Sequence, residues 1–185
     1  STGYYYYNAV LLSKFAEILE REEERQFHLD LSKSIKEAIL NKWFDEESAT
    51  VCGGEMSCQA FSLWLGILPE EKRQAAAKVM RDALVESDYR FTTGNLCTRY
   101  ILDMLIEYGY VNEFYEFLTR DTYPSYGFMI QNEATTVWER FELKTETEMN
   151  SHNHPMYASV DYCFYRYLAG ISSKNTAFGE VEIKP

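Results

Sequence analysis

The sequence predicts an all-α fold of antiparallel helical hairpins, and three observations carry that expectation. Apolar residues recur at helical spacing through most of the 185 residues, so that successive segments each present one apolar face. Polar or aromatic loops interrupt these segments at recurring intervals. Runs of β-branched residues are few, and no two-residue hairpin signal of the Asn-Gly kind occurs. Self-similarity between segments is weak, which favours an α/α barrel or toroid over a short-period repeat array.

The first helix is expected over residues 4–21, with Tyr7, Val10, Leu11, Phe15 and Ile18 on one face. After the acidic run Glu22, Glu23 and Glu24, a second helix runs to about residue 44, with Phe27, Leu31, Ile35, Ala38 and Ile39 in register. A glycine-bearing loop at 50–56 leads into residues 57–68, which are apolar nearly all round, as in a helix enclosed on most sides. Pro69, Glu70 and Glu71 start a fourth helix, because proline is preset for the first turn and acids suit the positive end of the helix dipole. Ala76, Val79, Met80, Ala83 and Leu84 continue it. The polar loop Thr92-Thr93-Gly94-Asn95 precedes a third helical pair, 96–108 and 112–120, folded around Gly109. A further loop is expected at 123–127. The last helix is expected over 155–171, with Val160, Cys163, Phe164, Tyr167, Leu168 and Ile171 at helical spacing. Residues 178–185 alternate like a strand without a partner. The expected division is a partial helical domain over 1–172, then a linker and the first strand of a following β-domain over 173–185. The chain opens on S-T-G-Y-Y-Y-Y without a methionine, and both ends read as cut from a longer protein.

The net charge of −11 argues against nucleic acid and anionic membrane as partners, since both call for a basic face, and it is compatible with a neutral substrate. No stretch approaches the roughly 20 apolar residues of a membrane span. The aromatic share of 16% is more than a small core usually asks for, so some rings are expected on a ligand surface while most fill the core. Cys52, Cys58, Cys97 and Cys163 form no C-x-x-C pair, which disfavours a zinc knuckle or redox motif. They read as small buried residues, with a Cys52–Cys58 bridge left open.

The chemistry concentrates in two nearby stretches. Residues 131–141 read Q-N-E-A-T-T-V-W-E-R-F, and Asn150-Ser151-His152-Asn153-His154-Pro155 follows. A carboxylate (Glu139) stands beside an indole (Trp138), an arrangement by which proteins desolvate and tune an acid/base group. Indole faces also suit the C–H surfaces of sugars. From the residues alone, Glu139 reads equally well as a catalytic group or as a structural one, capping or ion-paired with Arg140 or Arg166. Glu133 is a weaker rival and Glu142 a solvated charge. His152 and His154 allow a metal reading with Glu139 or Asp161, but recognition of sugar hydroxyls suits His154 better, with an N-terminal cap on the last helix as the plain alternative. For Thr92–Asn95 a helix cap formed by Asn95 or Thr93 is a sufficient account, to which a pocket role is an addition. Nucleophilic catalysis finds little support: there is no G-x-S-x-G and no cysteine near a histidine.

T-G-Y-Y-Y-Y at 2–7, P-E-E-K-R at 69–73, T-T-G-x-L at 92–96, Y-P-S-Y-G at 123–127, A-T-T-V-W-E-R at 134–140, N-H-P-M at 153–156 and Y-R-Y-L-A-G-I at 165–171 resemble, in this order, the family 78 glycoside hydrolases, the bacterial α-L-rhamnosidases. The resemblance implies the C-terminal part of an (α/α)6, six-hairpin glycosidase barrel that removes terminal α-L-rhamnose with inversion, using no catalytic metal and no organic cofactor. It implies Glu139 as the general base and Trp138, His154, Tyr126 and Asn95 as sugar-binding positions, with the general acid upstream of this chain. Tyr126 and Phe141 stand where the family commonly has tryptophan, and Asn95 and Cys97 where it often has an aromatic and a small residue, which bears on pocket shape more than on reaction type. The implied partner is a rhamnose-containing glycan or glycoside. A non-enzymatic scaffold binding glycan or protein, or an α/α-barrel enzyme of other specificity, is the alternative. The isolated chain is expected to self-associate or be unstable, and to be inactive for want of the acid.

Overall fold

The structure, a computed structural model, describes residues 2–90, 93–146 and 151–184, with only the backbone of Asn95. The chain forms two compact units, 1–80 and 81–185. Among the described residues no helix is long and apolar enough to cross a membrane.

In the first unit, α1 (Thr2–Ile18) and α2 (Glu22–Trp43) form the most extensive helix pair. The face that α1 buries differs from the one its large apolar residues predict: Ala9, Ser13 and Ala16 are buried, while Phe15 and Ile18 are 54% and 76% exposed. On α2, Ser32, Ile35 and Ile39 are buried and Phe27 and Ala38 are exposed. Small residues let two helix backbones approach closely, so large side chains are displaced to the flanks. A short antiparallel hairpin follows, β1 (Phe44–Asp45) with β2 (Thr50–Val51). Helix α3 (Met56–Trp64) ends four residues before the expected limit at 68, because Gly66 takes a positive φ of 65° and turns the chain while Ile67 and Leu68 stay buried. Gln59, wholly buried on α3, accepts the Val51 N–H at 2.5 Å and donates to the Ala49 and Ala76 carbonyls at 3.0 and 3.1 Å. One amide thereby satisfies three buried backbone groups of the β-hairpin and of α4 (Glu70–Glu86). Arg73, from the P-E-E-K-R start of α4, donates to the Leu68 and Gly66 carbonyls and closes the turn between α3 and α4. The boundary between the units falls within α4.

The second unit contains α5 (Asn95–Glu107) and α6 (Val111–Thr119), joined through Gly109 at a φ of 85°, as expected. Helix α6 buries Phe114 and Phe117. The loop expected at 123–127 holds for 123–125, while its last two residues open a short helix, α7 (Tyr126–Gln131), capped by the Ser125 hydroxyl, which accepts the Phe128 N–H at 3.0 Å. The last helix is shorter and less regular than expected. A 3₁₀ turn (Tyr157–Ser159) leads to α8 (Val160–Cys163) and a π-helical turn (Phe164–Leu168), with Phe164 exposed rather than buried. Gly170 at a φ of 65° then ends it and frees β3 (Ile171–Ser173). The terminal strand β4 (Val181–Ile183) therefore has a partner, contrary to expectation: it pairs antiparallel with β3, Ile171 opposite Ile183.

Candidate active site

The A-T-T-V-W-E-R and N-H-P-M residues lie on two irregular segments laced together over an aromatic core. The first segment leaves α7 at Glu133, whose φ of 60° is left-handed; its N–H bonds to the Ile130 carbonyl, and the Ala134 N–H bonds to that of Met129. Helix α7 itself sits tightly, since a Cβ on Gly127 would lie 2.6 Å from the Arg120 carbonyl oxygen and 2.7 Å from the Asp121 Cα. The second segment, 151–154, runs back alongside the first. The His154 N–H donates to the Val137 carbonyl and the Glu139 N–H to the Ser151 carbonyl, both at 2.9 Å. The Thr136 hydroxyl donates to the His152 carbonyl.

Beneath these segments Met129, Trp138, Phe141 and Tyr157 form a buried cluster flanked by Tyr126, Phe128, Ala134 and Val137. Phe141 packs against Tyr157 at 4.4 Å between ring centres and meets Tyr126 edge-on at 5.6 Å. The Tyr126 hydroxyl donates to the Tyr157 carbonyl at 2.7 Å. Burial pushes that hydroxyl far above the ordinary tyrosine range, so it stays a donor.

Four of the five expected site residues thus fall into one neighbourhood. Glu139 is half-buried, and its Oε2 accepts the Ser151 N–H at 3.1 Å. Among the described residues it makes no ion pair, and Arg166 lies 5.6 Å from the rings of Tyr162 and Tyr167 instead. Trp138 is 3% exposed, and the ring stacked on it is His152, 5.0 Å away at 23°. Tyr126 commits its hydroxyl to the backbone. The Nδ1 of His154 accepts the Met156 N–H at 3.3 Å, a local cap on the following turn, which leaves the proton of the neutral ring on Nε2. The fifth position, Asn95, opens α5, but its side chain lies outside the described residues; α5 packs against the Tyr157–Ser159 turn. The cap position of α5 is Gly94, with no side-chain bond, and the Thr93 hydroxyl faces that of Thr98 at 3.5 Å instead of capping.

Other features are chemically poorer. A cleft of about 530 Å³ adjoins the site, sharing Tyr126, Thr136 and Val137 with it, but has no carboxyl or imidazole in its lining. All four cysteines are free, so no Cys52–Cys58 bridge is present. Among the described residues no group of three or more His, Cys, Asp and Glu is placed to hold a metal ion. The sequence reading passed over Asp103, a buried carboxylate that accepts the Tyr167 hydroxyl at 2.8 Å and faces Arg99 at 3.9 Å. Its trace in the sequence is the four-residue spacing of Arg99, Asp103 and Glu107 on α5. Burial and the adjacent Asp103 push the Cys163 thiol up to about 12.

Residues 1–168 match the bacterial alpha-L-rhamnosidase 6 hairpin glycosidase domain. Over 190 residues the chain is 28% identical to an alpha-L-rhamnosidase of Formosa agariphila, covering 100% of this chain and 20% of that protein. The structure of alpha-L-rhamnosidase from Dictyoglumus thermophilum superposes with a TM-score of 0.92 at 38% identity, over 100% of this chain and 21% of that one. The Streptomyces avermitilis alpha-L-rhamnosidase, solved in complex with L-rhamnose, gives a TM-score of 0.92 at 29% identity, over 100% of this chain and 18% of that one. The chain spans about a fifth of the length of the curated relatives it matches.

Proposed function

The chain belongs to the bacterial α-L-rhamnosidase six-hairpin glycosidase domain family, and from that premise we propose that it forms part of the catalytic domain of an inverting glycoside hydrolase that removes terminal α-L-rhamnose. Glu139 is the general base. Its carboxylate takes a proton from a water, whose oxygen attacks the anomeric carbon on the face opposite the leaving group. A second carboxyl, outside this chain, protonates the departing glycosidic oxygen. Inversion needs the two carboxyls roughly 6.5–9.5 Å apart, so that the water fits between base and sugar.

One observation carries this reading: a half-buried carboxylate without an ion-pair partner among the described residues, fixed at one oxygen by the Ser151 N–H. An amide donor orients an ionised carboxylate and leaves its second oxygen for the water. Around it, His154 presents an Nε2–H donor suited to a sugar hydroxyl, and Asn95 is assigned to the same surface. Trp138 and Tyr126 form the aromatic wall behind Glu139, and the L-rhamnose complex of the Streptomyces relative supports the choice of sugar.

The test is hydrolysis of p-nitrophenyl α-L-rhamnoside by the full-length protein, with and without Glu139→Gln. Turnover is expected to fall at least ~100-fold, the scale of losing a general base, with little change in KM. The first-formed sugar should be the β-anomer by NMR. Near-normal turnover in the variant sinks the assignment of Glu139, and saturable binding of rhamnose without any hydrolysis by the unaltered protein favours a binding scaffold.

A further inference from the structure

We infer that Thr136 is a positioning residue for the Glu139 carboxylate, acting through the 151–154 turn; this rests on Glu139 being the base. Three residues of that turn, Ser151, His152 and His154, are tied to the segment carrying Glu139. His152 is held twice, by its carbonyl, which accepts the Thr136 hydroxyl, and by its imidazole, stacked 5.0 Å from the Trp138 indole. Ser151 precedes it, and its amide supplies the donor to Glu139 Oε2 at 3.1 Å. The Ser151 hydroxyl folds the turn on itself, donating to the Asn153 carbonyl at 2.9 Å and accepting the Asn153 N–H at 3.1 Å. The His154 N–H then closes onto the Val137 carbonyl at 2.9 Å.

The Glu139 N–H on the Ser151 carbonyl holds one side of Ser151 at 2.9 Å, and the anchoring of the adjoining His152 limits how far the Ser151 amide can turn away from the carboxylate. Among the described residues the carboxylate has no other hydrogen bond, so without that donor it is free to rotate about its terminal torsion, which is broad and roughly two-fold. A general base must hold an oxygen within about 2.6–3.2 Å of the proton it takes, and small misplacements are costly. The His152 stack alone restrains the ring but not the carbonyl of that residue. Thr136 restrains the carbonyl, and its β-branched side chain has few χ1 alternatives in which to lose the bond. Thr136 is itself exposed, so changing it disturbs no core packing. It touches neither the reacting atoms nor the carboxylate, and its contribution is to geometry.

Four forms of the full-length protein test this on p-nitrophenyl α-L-rhamnoside: unaltered, Thr136→Val, Glu139→Gln and the double variant, with Thr136→Ser beside them. Thr136→Val is expected to lower kcat about 10- to 100-fold while leaving KM nearly unchanged, and Thr136→Ser, which keeps the hydroxyl, is expected to recover most of the loss. In the Glu139→Gln background Thr136→Val should cost nothing more, because the group it positions is already gone. Unaltered kcat in Thr136→Val, or the same fold-loss in both backgrounds, overturns the inference. Near-normal turnover in Glu139→Gln alone means that the base itself is wrongly assigned, and the inference falls with it. Should Thr136→Val not fold, Thr136→Ala gives the same comparison.

Discussion

Glu139 and Ser151 hold each other through a reciprocal pair of hydrogen bonds: the Glu139 N–H donates to the Ser151 carbonyl at 2.9 Å, and the Ser151 N–H donates to Glu139 Oε2 at 3.1 Å. The consequence is a carboxylate oriented by a neutral main-chain group, with no arginine paired to it among the described residues. Because the donor is backbone, it survives most substitutions at 151. Ser151→Pro removes it. The expected result is a fall in kcat of about 10-fold or more, while Ser151→Ala, which keeps the amide, retains most of the turnover. Steady-state kinetics of the two variants decide, and equal kcat values would show that the amide does not matter.

The buried hydroxyl of Tyr126 gives a pH dependence with a definite sign. Burial raises its folded-state value above the ordinary 10.0, and burial also raises Tyr157 and Tyr167, and Cys163 from 9.0 to about 12. Below these ordinary values both folded and unfolded chains keep the protons, and stability is full. As pH rises past 9 and then 10, the unfolded chain loses protons that the folded chain retains, so stability falls, by at most about 1.4 kcal/mol per pH unit for each group. Tyr126→Phe removes one such group, so its stability should fall less steeply above pH 10. Near pH 7 it should cost about 1 kcal/mol for the hydrogen bond lost at the Tyr157 carbonyl. Urea unfolding from pH 7 to 11 tests both parts, and parallel curves for the two proteins would exclude a titrating role for Tyr126.

Much of this fold was legible because glycines and apolar periodicity act locally. Gly109 turns between α5 and α6 where expected, and the helix starting after Pro69 is present. The small-residue face of α1 was not legible, because Ala9, Ser13 and Ala16 are buried while the larger Phe15 and Ile18 are not, so apolar size did not mark the face. Helix α7 escaped because its six residues are too few to show a period. At the site, the residue types of A-T-T-V-W-E-R and N-H-P were readable, as was the proximity of Glu139 to the histidine segment. Which group would meet which was not. The hydroxyl of Tyr126 pairs with a carbonyl 31 positions away, and His152, passed over in favour of His154, covers the indole. Such pairings are properties of two loops brought side by side, and no local pattern encodes them.

Gly127 explains part of the Y-P-S-Y-G motif in steric terms. An added Cβ would meet the backbone of Arg120 and Asp121 at 2.6 and 2.7 Å, and backbone cannot swing aside as a flexible side chain can. Gly127→Ala should therefore displace α7 and the Tyr126 ring at its start, at a cost of about 1–3 kcal/mol. Thermal unfolding should show a lower midpoint, and turnover should fall with it. An unchanged midpoint would show that α7 tolerates the added methyl and that Gly127 has no steric role.

Glu133 and Glu139 are the two acids of the motif, and they are separable by what each does to the backbone. Glu133 is exposed and holds a left-handed φ of 60° where α7 ends, a conformation that costs a residue with a Cβ roughly 1 kcal/mol relative to glycine. Glu133→Gly is accordingly expected to raise stability by up to about 1 kcal/mol and to leave kcat on p-nitrophenyl α-L-rhamnoside unchanged. Glu133→Gln, which keeps the side-chain length and the strained turn, should change neither quantity. Chemical denaturation and steady-state kinetics on both variants, set beside Glu139→Gln, make the comparison. A large loss of kcat in Glu133→Gln at unchanged stability would move the base from Glu139 to Glu133, and with it the site would shift from the Ser151 clamp to the end of α7.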